Sequence, residues 1–213
     1  MAAPRDCAGA FIVLEGLDGV GKSTAVRLLA KRLSAHETRT PPNVMRPFRA
    51  AFDEGERIRR TAYYEVGNFI AGEQARAARE EGKSTVCDRY FCSTHAYNIG
   101  RKACVEGGID KLPPAGDAAW PPWPPMLERP SHMFVLFLPQ AARVARLAAR
   151  VATSEGKEVE TAEEKELREN ETLGATINAA FERLGCTPVS AEGSELEVVE
   201  RIVNLLHTAQ TTD

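Results

Sequence analysis

The chain has 213 residues, 43% of them hydrophobic, with 27 basic against 30 acidic side chains and a net charge of −3. That length supports one sizeable core and a single domain. The slight acidity excludes a global basic field that would draw the chain to nucleic acid or to an anionic membrane.

Five cysteines (Cys7, Cys87, Cys92, Cys104 and Cys186) are odd in number and lack zinc-ligand spacing. A reducing intracellular setting fits them. No apolar run reaches membrane-spanning length. The residues before Phe11 form no recognisable leader, so a cytoplasmic location is expected, with a mitochondrial one left open.

Taken in chain order, the first element is a short apolar strand from Phe11 that runs into Glu15. Gly16, Leu17, Asp18, Gly19, Val20, Gly21, Lys22 and Ser23 then match G-x-x-x-x-G-K-[ST] at every fixed position, and Thr24 follows. The three glycines let backbone N–H groups converge on a phosphate. Lys22 supplies a mobile charge for the terminal phosphates of a nucleotide, and the Ser23 hydroxyl is suited to Mg²⁺. Val26, Leu29, Ala30 and Leu33 recur at helical spacing. The helix they predict aims its positive end at the same phosphate.

His36 to Thr40 can hold a short second strand, and Pro41-Pro42 presents residues 43–53 as a loop opening into a helix. Ile58 to Glu81 reads as one long helix weakened at Gly67 and Gly72. Thr85 to Asp88 is a strand, and Phe91 to Cys104 a helix. Residues 105–130 hold most of the prolines, including those around Trp120 and Trp123, and read as a packed cover inserted before a core strand at His132 to Pro139. A helix from Gln140 to Val151 and a polar segment follow. Thr161 is expected to cap one helix running to about Leu184. A strand at Thr187 to Ser190 and a helix from Glu195 to His207 close the chain. Alternating strands and helices predict an α/β fold, a parallel sheet covered on both faces.

Asp88-Arg89-Tyr90 lies at the carboxyl end of a predicted strand, where parallel sheets place their ligand crevice. An acid there can organise Mg²⁺, and an arginine can grip a phosphate bidentately. The four histidines show neither metal nor triad spacing, and the guanine-reading Asn-Lys-x-Asp motif of GTP switches is absent.

The segments Leu14–Thr24 and Asp88–Tyr97 together resemble the thymidylate kinase family of P-loop nucleoside monophosphate kinases. The pattern is nearest to its mitochondrial UMP-CMP kinase branch, echoed at Phe48-Arg49, Ile58 to Arg60, Tyr63-Tyr64, Gly67-Asn68 and His95 to Tyr97. The resemblance implies a three-layer α/β/α fold with a five-stranded parallel sheet and a mobile lid at about 150–162. It also implies ATP-dependent, Mg²⁺-assisted phosphorylation of a pyrimidine nucleoside monophosphate (UMP/CMP or dUMP/dCMP), and a homodimer through the long helix. Thymidylate kinase activity on dTMP is the alternative; a deoxynucleoside kinase or a non-catalytic nucleotide-binding protein is also weighed.

On that reading Lys22 and the loop hold the donor, Ser23 and Asp88 serve the metal, and Arg49 and Arg89 hold the acceptor phosphate. Asp18 and Tyr97 lie near the acceptor sugar, and Tyr64 or Phe69 stacks on the base. The stretch from Tyr64 to Phe69 lacks the thymine-reading arginine of thymidylate kinases, and Asn68, able to donate and accept, is expected to read uracil or cytosine. Gly19 replaces a loop arginine of some relatives, and Ala162 another. The catalytic charge is therefore expected from Arg143, Arg146, Arg150, Lys157 or Arg168, with Arg146 and Arg150 favoured.

Overall fold

The computed structural model describes residues 9–53, 57–153 and 161–210. Five strands form one parallel sheet in the order β2-β3-β1-β4-β5: β1 Phe11–Gly16, β2 His36–Arg39, β3 Thr85–Asp88, β4 His132–Phe137 and β5 Thr187–Ser190. Strand β1 is central, pairing Leu14 with Asp88 of β3 and Glu15 with Val135 of β4. Every residue of β1 is buried, as a strand covered on both faces requires.

The helices are α1 Lys22–Leu33, α2 Arg49–Asp53, α3 Arg57–Glu80, α4 Phe91–Glu106, α5 Gln140–Thr153, α6 Ala162–Glu169, α7 Glu171–Arg183 and α8 Glu195–Gln210. Helix α1 packs with α8 and β3. Helices α4 and α7 pack on each other and on β1, and α3 joins α4 against β2 and β3. Since every strand is parallel, the loops after β1, β3, β4 and β5 leave the same edge of the sheet. The chain visits β2 and β3 on one side of β1 before crossing to β4 and β5 on the other, which leaves a crevice above β1.

Most expected elements are present to within a few residues. The residues chosen for the face of α1 (Val26, Leu29, Ala30 and Leu33) are all buried. The expected loop at residues 43–53 is ordered as a 3₁₀ turn, Asn43–Phe48, followed by α2.

One expectation is corrected: the helix from Thr161 to about Leu184 is two helices. Thr161 does cap α6 with a reciprocal capping box to Glu164. Asn170 then leaves helical geometry (φ −126°, ψ 93°), and its Oδ1 accepts the Leu173 N–H at 2.9 Å, so it ends α6 and starts α7. An asparagine satisfies the next helix's first amides better than it continues the previous one.

The proline-rich segment is a packed cover, as expected. Trp120 donates to the Pro114 carbonyl, and Trp123 donates to that of Leu127 while its ring lies 4.5 Å from Phe91. The expected lid centres on residues 154–160, which lie outside the described residues.

Candidate active site

The glycine loop enters α1 through Gly21 in left-handed geometry (φ 96°), with no side-chain cap and no acid in the first turn of the helix. The first-turn amides and the positive helix end therefore face whatever anion the loop cradles. Lys22 is only 6% exposed, and its Nζ donates to the Leu17 carbonyl at 2.7 Å and lies 3.8 Å from Asp18. Burial, reinforced by Arg89, lowers its pKa to about 8, against the pull of Asp18, Asp88 and Glu15. The Ser23 hydroxyl donates to Asp88 Oδ2 at 2.5 Å, so the two oxygens stand together at the loop mouth. Hard oxygen ligands from one hydroxyl and one carboxylate suit Mg²⁺, which keeps waters and phosphates in its remaining positions.

Gly19 is closed to any side chain in this packing: its φ is +85°, and an added Cβ would lie 2.7 Å from Leu147 Cγ of α5. The small residue there is a packing requirement as well as a missing charge.

Arg89 directly follows β3 at φ 68°, a left-handed conformation uncommon outside glycine. Its guanidinium donates to Asp18 Oδ1 at 2.7 Å, Ser93 Oγ at 3.0 Å and the Tyr97 hydroxyl at 3.4 Å. Burial would raise the Asp18 pKa, but the charges of Arg89 and Lys22 hold it well below the usual carboxylate range. Tyr97 lies between two guanidiniums, those of Arg89 at 5.4 Å and Arg101 at 5.5 Å.

These groups divide two clefts. The larger, about 840 Å³, is lined by the loop from Asp18 to Ala25, by Asp88, Arg89, Arg146 and Arg150, and by the turn at Gly193 to Leu196. The smaller, about 210 Å³, is lined by Pro41, Arg49, Tyr64, Arg89, Thr94 and Tyr97 among others. Asp18, Arg39 and Arg89 belong to both clefts.

The structure therefore brings Asp18, Arg49, Tyr64, Arg89 and Tyr97 into one cavity, as the sequence leads one to expect. Phe69 is not among them. It lines a separate depression of about 180 Å³ under the proline segment with Phe91 and His95. Asn68 is 1% exposed, lines the same depression, and meets the second cleft only through Thr94, whose Oγ1 accepts from Asn68 Nδ2 at 3.3 Å; among the described residues the Asn68 Oδ1 has no partner.

The lid arginines also separate. The Arg146 guanidinium is committed to the carbonyls of Val20 (3.2 Å), Ala191 (3.0 Å) and Gly193 (3.5 Å). It stands beside the glycine loop, its Nη1 3.5 Å from where a Cβ on Gly21 would lie, and lines the larger cleft with Asp88, Arg89 and Arg150. Arg150 pairs with Glu164 at 2.7 Å and contributes to the field that holds Asp18 ionised. Arg168 pairs with its neighbour Glu169, and Lys157 lies outside the described residues.

Three cations were undervalued from sequence. Arg143, named above only as a less favoured source of catalytic charge, is 1% exposed and donates to the carbonyls of Leu167 (2.8 Å) and Asp18 (3.3 Å). It ties α5 to both the glycine loop and α6. Arg143→Ala should lower stability by about 3 kcal/mol, because it leaves a cavity and unpaired carbonyls. Calorimetry should show a melting point lower by about 9 °C for a chain of this size. Arg60 and Arg101 converge on Glu163 at 3.1 and 2.8 Å at the mouth of the second cleft. Helical spacing alone could not bring residues from α3, α4 and α6 to one point.

The model of the family described as thymidylate kinase matches residues 14–202. The chain belongs to the thymidylate kinase family. Human mitochondrial UMP-CMP kinase 2 is 33% identical over 201 residues, an alignment covering 93% of this chain and 42% of that protein. A thymidylate kinase of Rhizorhabdus wittichii is 29% identical, with 93% and 97% of the two chains covered. The fold is shared with the thymidylate kinase of Candida albicans, with a TM-score of 0.63 at 15% identity over 97% of this chain and 94% of that one. That of Ehrlichia chaffeensis follows with a TM-score of 0.52 at 17% identity, covering 92% and 98%. Among the described residues, no helix is long and apolar enough to cross a membrane.

Proposed function

We propose that the protein transfers the γ-phosphoryl group of ATP to a pyrimidine nucleoside monophosphate, UMP/CMP or dUMP/dCMP. The observation that carries this reading is the meeting of two clefts at Asp18 and Arg89, one built on the phosphate loop and the other on arginines and aromatic rings. Phosphoryl transfer asks mainly for in-line positioning and charge neutralisation, and the residues present supply both. Lys22 and the loop amides hold the donor. Arg89 and Arg49 hold the acceptor phosphate, Asp18 and Tyr97 the sugar side, and Tyr64 the base face. Arg146 and Arg150, both lining the larger cleft, are the candidates for the lid charge. Mg²⁺, held by Ser23 and supported by Asp88, would neutralise the phosphate oxygens.

The pyrimidine preference rests on the family likeness and on Tyr64 in the second cleft. Asn68, expected to read the base, is buried and lines the depression with Phe69, so any influence it has on the base passes through Thr94. The reading includes a homodimer through α3, where Val66 and Phe69 are exposed apolar side chains.

Coupled detection of ADP release with ATP and Mg²⁺ should show CMP, UMP or a deoxy counterpart turned over at least about tenfold better than dTMP. Preference for dTMP over every other acceptor would favour thymidylate kinase activity instead, and no turnover of any acceptor would overturn the kinase reading.

A further inference from the structure

Glu15, the last side chain before the glycine loop, is fully buried. Its carboxylate points across the sheet rather than into either cleft. It accepts the Tyr90 N–H at 3.0 Å, the Ser93 N–H at 3.2 Å and the Ser93 hydroxyl. Among the described residues it has no ion-pair partner; burial pushes its pKa up to about 7, against the Ser93 hydroxyl, the charge of Arg89 and the two backbone amides.

Two features tie this carboxylate to Arg89. The first is backbone. Tyr90 is the N-cap of α4 and supplies no side-chain cap; Glu15, from β1, instead takes the third-position amide that a cap would normally take. It also takes the N–H of the peptide that joins Arg89 to Tyr90. A left-handed arginine persists only where its surroundings over-determine it. The Arg89 N–H bonded to the Leu14 carbonyl on one side, and the Tyr90 N–H bonded to Glu15 on the other, do so here. The second feature is side chain. The same Ser93 oxygen that donates its proton to Glu15 accepts from Arg89 Nη1 at 3.0 Å, so the carboxylate orients the hydroxyl and the hydroxyl orients the guanidinium.

We propose that Glu15 is the positioning residue of Arg89, acting through the Tyr90 amide and the Ser93 hydroxyl, and that it thereby sets capture of the acceptor phosphate. This rests on Arg89 being the acceptor-phosphate ligand. Glu15 itself touches neither substrate. Its strand runs straight into the donor loop, so one carboxylate holds the acceptor arginine in register with the donor site.

Two variants of the full chain test it. Ser93→Ala keeps Glu15 on both backbone amides and cuts the side-chain link; Glu15→Gln keeps shape but offers one oxygen to three donors. The KM for the nucleoside monophosphate should rise about tenfold in Ser93→Ala and about fiftyfold in Glu15→Gln. Binding of a fluorescent ATP analogue should stay within about twofold, and the double variant should be no worse than Glu15→Gln alone.

A readout independent of turnover is the ¹⁵N-edited spectrum of the Arg89 Nη–H groups. These should be individually resolved in the unaltered protein and coalesce in both variants as guanidinium rotation is freed. An unchanged acceptor KM in Ser93→Ala, or equal losses for ATP and acceptor, would overturn the proposal. If Glu15→Gln fails to fold, Ser93→Ala alone decides. If no monophosphate is turned over, the functional reading fails separately, and Arg89 signals still resolved in Ser93→Ala would refute the positioning.

Discussion

Lys22→Ala should lower kcat about a thousandfold, equivalent to about 4 kcal/mol of transition-state stabilisation, while the melting temperature moves little. The two outcomes separate because the ammonium does different things in the two processes. In the folded chain it is buried beside Asp18, and burial has lowered its pKa to about 8, so folding gains little from its charge. Asp18 keeps its shorter partner, Arg89 at 2.7 Å, when Lys22 is removed. In catalysis the same ammonium is the only side chain of the glycine loop that can meet charge developing on the transferring group. Coupled ADP release at saturating ATP and acceptor checks the rate, and calorimetry checks the fold. A variant keeping more than a tenth of the rate would remove Lys22 from the chemistry.

Arg89→Ala should raise the acceptor KM at least about a hundredfold and lower kcat as well, with ATP binding nearly unchanged. The guanidinium faces Asp18, Ser93 and Tyr97 and borders both clefts, so on the proposed reading its loss takes a cation from the acceptor phosphate. Arg89→Lys should recover only part of the loss, since an ammonium keeps the charge without the planar fork. Arg89→Gly offers an internal control. At φ 68° a glycine relieves a backbone cost of about 1 kcal/mol, so this variant should melt no lower than Arg89→Ala while being equally impaired. Kinetics with acceptor and ATP varied separately distinguish these outcomes; an unchanged acceptor KM would remove Arg89 from acceptor binding.

The parts of the site legible in the sequence are those packed into short contiguous stretches. Gly16 to Ser23 is one such stretch, because a phosphate cradle is built from consecutive backbone amides. Asp88-Arg89 is another, because the end of a parallel strand delivers neighbouring side chains to one edge. Arg143 was hidden for the opposite reason. Its partners lie 24 and 125 positions away, at Leu167 and Asp18, and on a helix rich in alanine and arginine a buried cation looks the same as a solvated one. Phe69 shows the converse: offered with Tyr64 as the base's neighbour, it is five positions on and so about 140° round the helix, and it faces the depression under the proline segment. Arg146 was read for its charge, whereas its place was decided by one carbonyl of the glycine loop, Val20, and two of the turn after β5, Ala191 and Gly193.

Strand and helix types, the covered parallel sheet and the donor loop followed from local pattern, since period, turn chemistry and the phosphate motif are properties of neighbouring residues. Which arginine stands where did not. That was decided when α3, α4, α5 and α6 converged over the carboxyl edge of the sheet, where a guanidinium's role depends on which distant carboxylate or carbonyl reaches it first. Gly19 shows the tertiary level at one residue: the motif leaves its position open, and the positive φ with the nearness of Leu147 explains why nothing larger fits.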